Sequence, residues 1–191
     1  MMSKPVNHGL KALALILVLF ALVGAPSFAQ KSLAPGAPQT ITWESLVPQG
    51  WDPSKQFRGR ERDVSTIQEG SAIEVEMMRE LREIWDNAPI RTDLQGARIK
   101  LPGYVVPIDA PQGGRVSQFL LVPYFGACIH SPPPPANQIV HVTLKAPGRW
   151  RTMDAVWVSG TLTTQRQNSS MGISGYAMTA DFVQAYHGPS Q

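Results

Sequence analysis

Apolar residues recur along this chain with two different periods, and the change from one to the other falls near residue 95. Ile73, Met77, Leu81, Ile84 and Trp85 lie three or four positions apart or side by side, forming one stripe of a helix, while Glu76, Arg79, Glu80 and Glu83 fall elsewhere. Ser71-Ala72-Ile73-Glu74 opens that segment as a capping box, in which the serine oxygen accepts from the amide three residues on and the glutamate reaches back. Asn87 and Pro89 end it. A stripe of this kind is how a helix attaches to a sheet, so core packing is the expectation. After Asp93-Leu94-Gln95-Gly96, which reads as a turn, the period drops to two. Residues 99–106, 116–124, 139–144, 156–163 and 176–183 read as five strands, with Pro102-Gly103 breaking the first ladder as a bulge would. No helical segment separates them. The pattern predicts a mainly β chain with one helix, an α+β fold: a small five-stranded antiparallel OB-like barrel with the amphipathic helix packed on it. A two-sheet sandwich is the rival. Residues 165–175, rich in Gly, Ser and Asn, read as a loop long enough to overhang a barrel mouth.

The start of the chain follows other rules. Lys4 and Lys11 make a basic opening, residues 12–24 are an unbroken apolar run, and Ser27-Phe28-Ala29 puts small residues where a signal peptidase reads them. Residues 1–29 are therefore read as a signal peptide cleaved after Ala29, and the mature chain as periplasmic or secreted. The apolar run is short for a membrane span, and no cysteine follows it to take a lipid. Residues 30–42 read as a flexible tether, and residues 43–191 as one domain. At the domain's edge Trp43, Leu46 and Val47 form an apolar cluster expected to dock as a short core-covering turn. The formal charge of the whole chain is +3, from 17 basic and 14 acidic residues. Removing Lys4 and Lys11 leaves 15 against 14, a net of +1, which gives no electrostatic footprint for nucleic acid. Arg58, Arg60 and Arg62 are interleaved with Glu61 and Asp63, which suits a solvated loop.

Chemistry concentrates in the stretch from Val122 to Gln138. It contains the sole cysteine, Cys128, then His130, four consecutive prolines from Pro132 to Pro135, and the amides Asn137 and Gln138. In an oxidising compartment a lone thiol must be buried, ligated to a metal, or used. On extended backbone Cys128 and His130 point the same way, roughly 6.6 Å apart between α-carbons. A thiolate and an imidazole suit zinc or copper, with a further ligand required from elsewhere. His141 on the third strand is the best placed; His187, Asp181 and Met178 are weaker choices, and Met171 or Met178 would favour copper. Two other chemistries stay open. His130 can lower the Cys128 thiol pKa, with Asn137 orienting the imidazole, as in a thiol enzyme. Alternatively, Cys128 is a small buried apolar group and His130 bonds a carbonyl. The proline run reads as a rigid lid that fixes Asn137 and Gln138 beside Tyr124 in a ligand pocket.

The run PYFGACIH, the following PPPP and ANQ, and the preceding LPGYVVP and Phe119-Leu120-Leu121 together resemble the secreted bacterial family known as domain of unknown function 3299. The resemblance spans residue 43 to the C-terminus. It implies an envelope location and, through relatives beside envelope transporter components and metal-uptake systems, a link to metal. Ser131 departs from the apolar residue of many relatives, a departure that puts no proposed ligand in doubt. The function expected is an exported accessory protein that binds zinc, copper or a small ligand at the Cys128–His130 loop and serves an envelope transporter component. A non-metal envelope interaction module and a Cys-His thiol enzyme are the alternatives.

Overall fold

The computed structural model describes residues 36–57, 67–108, 113–127 and 133–187. The expected signal peptide, most of the tether, the arginine cluster near residue 60, and Cys128 and His130 lie outside the described residues. Eight strands and two α-helices are present among them: β1 (Gln39–Thr40), α1 (Ser54–Phe57), α2 (Ala72–Asp86), β2 (Arg98–Pro107), β3 (Val116–Val122), β4 (Val140–Gly148), β5 (Ala155–Thr163), β6 (Gln167–Ser169), β7 (Gly172–Ser174) and β8 (Tyr176–Ala185).

The five long strands pair in the order β2-β3-β4-β8-β5, and β5 returns to β2, closing a barrel. The antiparallel barrel expected from the alternation is mixed in fact, because β4 and β8 run parallel, Val140 opposite Tyr176 and Leu144 opposite Ala180. Closure forces this. With an odd number of strands in a ring, alternating directions cannot be kept around the circuit, so at least one neighbouring pair must run the same way. The result is an α+β fold, a closed OB-like barrel with α2 on it.

The interior is filled by alternate residues of each strand, including Leu101, Val105, Phe119, Leu121, Val140, Val142, Val158, Leu162 and Met178. The expected turn at Trp43 supplies a plug: Trp43–Leu46 is a 3₁₀ helix, and Trp43 and Leu46 are buried in that same core. The Trp43 indole donates to the Pro102 carbonyl (2.8 Å), and the Tyr176 hydroxyl donates to the Leu46 carbonyl (2.6 Å). Just upstream, Gln39 and Thr40 pair in parallel with Ile99 and Lys100. The last part of the expected tether is therefore strand, filling the edge of β2 that β3, paired only from Tyr104 on, leaves free.

Three local expectations are corrected. Pro102-Gly103 is no bulge, since the β2–β5 register runs unbroken through it; the shifts fall between Val116 and Gln118 and between Ser159 and Gly160. Gly103 serves close approach instead, because a Cβ there would lie 2.8 Å from the Leu121 Cγ and the Val122 carbonyl. Residues 165–175 are not one open loop but hold the β6–β7 hairpin. Finally, α2 begins and ends as expected, with Ser71 Oγ accepting from the Glu74 amide (3.2 Å), the Glu74 carboxylate accepting from the Gly70 amide (2.5 Å), and Asn87 at the C-cap. Its stripe, however, buries no residue; Ile73 is 52 % exposed. The Arg166 guanidinium ties the helix end down by donating to the Asp86 and Ala88 carbonyls.

Candidate functional site

A second, smaller apolar cluster lies apart from the main core: Val106, Leu120, Val122, Ala127 and Ile139, with Tyr104, Ile108, Met153 and Met171 packed against it. Its β3 members alternate with the interior residues Phe119 and Leu121, so they face the outer wall of the barrel. The chain between β3 and β4, which carries the Cys-His-Pro signature, leaves and re-enters the barrel here. Ala127, the residue before Cys128, is fully buried in the cluster.

His141 belongs to the same wall. It lies between Leu120 of β3 and Ala177 of β8, and it alternates with the interior residues Val140 and Val142. It is 7 % exposed, and its Nδ1 is buried with no hydrogen-bond partner among the described residues. Burial lowers its pKa below the ordinary histidine value, against a smaller opposing effect of its own backbone. The neutral imidazole, the form that ligates metals, is thus the favoured one. A sign follows for stability. The unfolded chain takes up the proton first as pH falls, so His141 contributes stability that is present above the ordinary histidine pKa and lost as pH drops through the folded value. Urea titrations from pH 8 to pH 5 should show the wild-type midpoint falling more steeply than that of His141→Phe; parallel curves would refute it.

The other expected site residues are spread out. Tyr124 is 45 % exposed and stands next to Phe125, whose ring meets Tyr104 edge-on at 5.8 Å. Asn137 is fully buried in a 3₁₀ turn, Ala136–Gln138, entered from Pro135 at φ −56° and ψ 147°, near polyproline geometry. Its Nδ2 donates to the Pro89 carbonyl (3.0 Å), so one half of the amide holds the segment after α2, while its Oδ1 is buried without a partner among the described residues. Gln138 lines a cleft of about 490 Å³ with Glu44, Trp51, Asp52 and Pro135; neither Tyr124 nor His141 borders it. Of the weaker candidates, Met178 is packed in the barrel interior, on the opposite side of the wall from His141, and His187 is exposed. Asp181 is engaged by Lys145 (2.6 Å) and Arg98 (2.8 Å); the Lys145 hydrogen bond is the main reason its pKa is lowered. Among the described residues no three of His, Cys, Asp and Glu converge as a metal cluster. A further cleft of about 270 Å³ runs along α2, between Val75, Met78, Leu81 and Trp85 and Pro133 of the proline run.

Sequence reasoning missed Met153. Residues 151–154 form a tight turn, with the Asp154 amide donating to the Arg151 carbonyl (3.1 Å), and Met153 has a φ of 67°. That region costs a side-chain-bearing residue roughly 1–2 kcal/mol and is normally given to glycine or asparagine. The only signal available was a methionine where a turn glycine would be usual, and the turn itself was not legible.

The sequence profile of the family described as "Protein of unknown function (DUF3299)" matches residues 43–185. The crystal structure of a DUF3299 family protein from Pseudomonas aeruginosa PAO1 is similar to this chain, at 34% identity and a TM-score of 0.63, covering 81% of this chain and all of that one. No curated protein matches. With the signature, the profile and the barrel in agreement, the chain belongs to the DUF3299 family.

Proposed function

We propose that this chain is an exported metal-binding accessory protein, which holds a zinc or copper ion between Cys128, His130 and His141 and serves an envelope transporter component. The observation that carries the reading is the buried Nδ1 of His141, which has no hydrogen-bond partner among the described residues. A polar atom in that position costs stability unless something pairs with it, and a neutral imidazole nitrogen pairs with a metal ion. The donor set fits either ion, one thiolate and two imidazoles leaving a fourth position open. Chain connectivity supports the grouping: Ala127, which precedes Cys128, packs with Leu120, and Leu120 is the cross-strand partner of His141. Export rests on residues 1–29, whose charge, apolar run and small-residue site are those of a cleaved signal. Among the described residues no helix is long and apolar enough to cross a membrane. The face available to a transporter component is that of α2, where Val75 is 63 % and Met78 42 % exposed beside the apolar cleft.

The test is the metal content of the mature protein, isolated from its native compartment without chelator, alongside His141→Ala and Cys128→Ser. About one zinc or copper per wild-type chain, lost in both variants, is the expected result. No metal in any sample, and none taken up on titration, would overturn the reading and leave a non-metal interaction module built on α2.

A further inference from the structure

The outward faces of β2, β5 and β8 depart from the polar pattern normal for the solvent side of a sheet. Lys100 and Pro102 alternate with the interior residues of β2, Trp157 with those of β5, and Phe182, Gln184 and Tyr186 with those of β8. Register sets them in rows, Lys100, Ser159 and Phe182 in one and Pro102, Trp157 and Gln184 in the next. Tyr186 follows, its amide donating to the Ala155 carbonyl (2.8 Å) and its ring centre 5.4 Å from that of Trp157. Phe182 is 58 % exposed, and Tyr186 is exposed too. These two lie four residues apart on β8, roughly 13 Å at the standard rise, with Trp157 between them on the neighbouring strand. Charge on the wall is one-sided. The five long strands carry three cations, Arg98, Lys100 and Lys145, and a single carboxylate, Asp181, which engages both Arg98 (2.8 Å) and Lys145 (2.6 Å). Lys100 has no ion pair among the described residues, and its Nζ lies 4.8 Å from the centre of the Trp157 ring, so its charge stands over the aromatic row. Flat apolar rings combined with a surplus of two positive charges are complementary to a chain of rings that carries sparse negative charge. A pyranose fits, because its C–H face lies on an aromatic ring while its hydroxyls meet an amide such as Gln184 and a carboxylate on it pairs with a lysine. A nucleic acid brings a phosphate with every sugar, more charge than this wall answers.

We propose that the outer wall of β2, β5 and β8 is a stacking platform for an acidic oligosaccharide, whose sugar rings lie on Phe182 and Tyr186 and whose carboxylates meet Lys100. The inference uses none of the residues of the metal reading and is decided separately from it. Calorimetric titration of the mature chain with a galacturonate hexamer and with a hyaluronan hexasaccharide tests it. Saturable binding of at least one is expected, weakened about tenfold in Phe182→Ala, in Tyr186→Ala and in Lys100→Gln, the scale of one stacking or charge contact. Both aromatic side chains are exposed, so urea midpoints of the variants should stay close to wild type. Methyl esterification keeps the rings and removes the charge, and the esterified saccharide should bind at least about tenfold more weakly. No binding of either acidic saccharide would overturn the platform, as would binding that both alanine variants leave unchanged. Esters held as tightly as the acids would overturn the anionic assignment. A short oligothymidylate held more tightly than either saccharide would overturn the saccharide and give the wall to single-stranded nucleic acid.

Discussion

Replacing Gly160 with alanine is expected to remove about 3 kcal/mol or more of folding stability, at the upper end of what overpacking does. Gly160 stands opposite Ala180, immediately after the register shift at Ser159. A Cβ added there would lie 2.3 Å from the Thr179 carbonyl oxygen and 3.0 Å from the Ala180 Cα. Both are backbone atoms of β8, which joins β4 to β5 and so completes the ring. Neither can move aside as a flexible side chain would; room appears only if β5 and β8 separate, which breaks their ladder. Gly36, with nothing among the described residues within 4 Å of its Cβ position, is the control, and its alanine variant should stay within about 0.5 kcal/mol of wild type. Urea unfolding of the three proteins decides it. A Gly160→Ala midpoint indistinguishable from wild type would mean the bulge tolerates a wider approach than the closed barrel requires.

The barrel strands show what could be read from the sequence and what could not. Alternation located all five because their interior faces are apolar at every second residue, as with Phe119 and Leu121 in β3 and Val156 and Val158 in β5. Which strands neighbour one another was not legible, because pairing β8 with β4 depends on contacts far apart in sequence, while alternation reports only which face is buried. The β6–β7 hairpin stayed hidden for a related reason: Gln167-Asn168-Ser169 and Gly172-Ile173-Ser174 have no apolar alternation to give them away. Helical periodicity in α2 reported a stripe, yet amphipathicity does not say what covers it, and its residues remain unburied. At the candidate site, His141 could be singled out as a histidine on the strand that follows the proline run. That its Nδ1 lacks a partner among the described residues is a property of packing, as is the hydrogen bond that the Gly126 amide donates to the Met153 sulfur.

Tyr176→Phe tests how the plug is held. The Tyr176 side chain is fully buried in the main core, and its hydroxyl makes two hydrogen bonds, donating to the Leu46 carbonyl (2.6 Å) and accepting from the Arg91 amide (2.7 Å). One oxygen therefore joins three parts of the chain: the 3₁₀ plug, the segment following α2, and the start of β8. Burial raises the pKa of the phenol, outweighing the lowering effect of the Arg91 amide, so the hydroxyl keeps the proton it donates. Phenylalanine preserves the ring's packing and leaves a buried carbonyl and a part-buried amide without their partner. Each such group costs about 1–3 kcal/mol, so a loss of about 2–4 kcal/mol is expected, together with faster hydrogen exchange at the Arg91 amide. Arg91 holds the plug a second time, its guanidinium donating to the Ser45 carbonyl (2.9 Å), so the plug should loosen without leaving the core. Tyr186→Phe, at a position 40 % exposed, should change stability by less than about 0.5 kcal/mol. If the two variants prove equally stable, the plug is retained by the apolar contacts of Trp43 and Leu46 together with the Trp43 and Arg91 hydrogen bonds, and the polar junction at Tyr176 contributes orientation without stability.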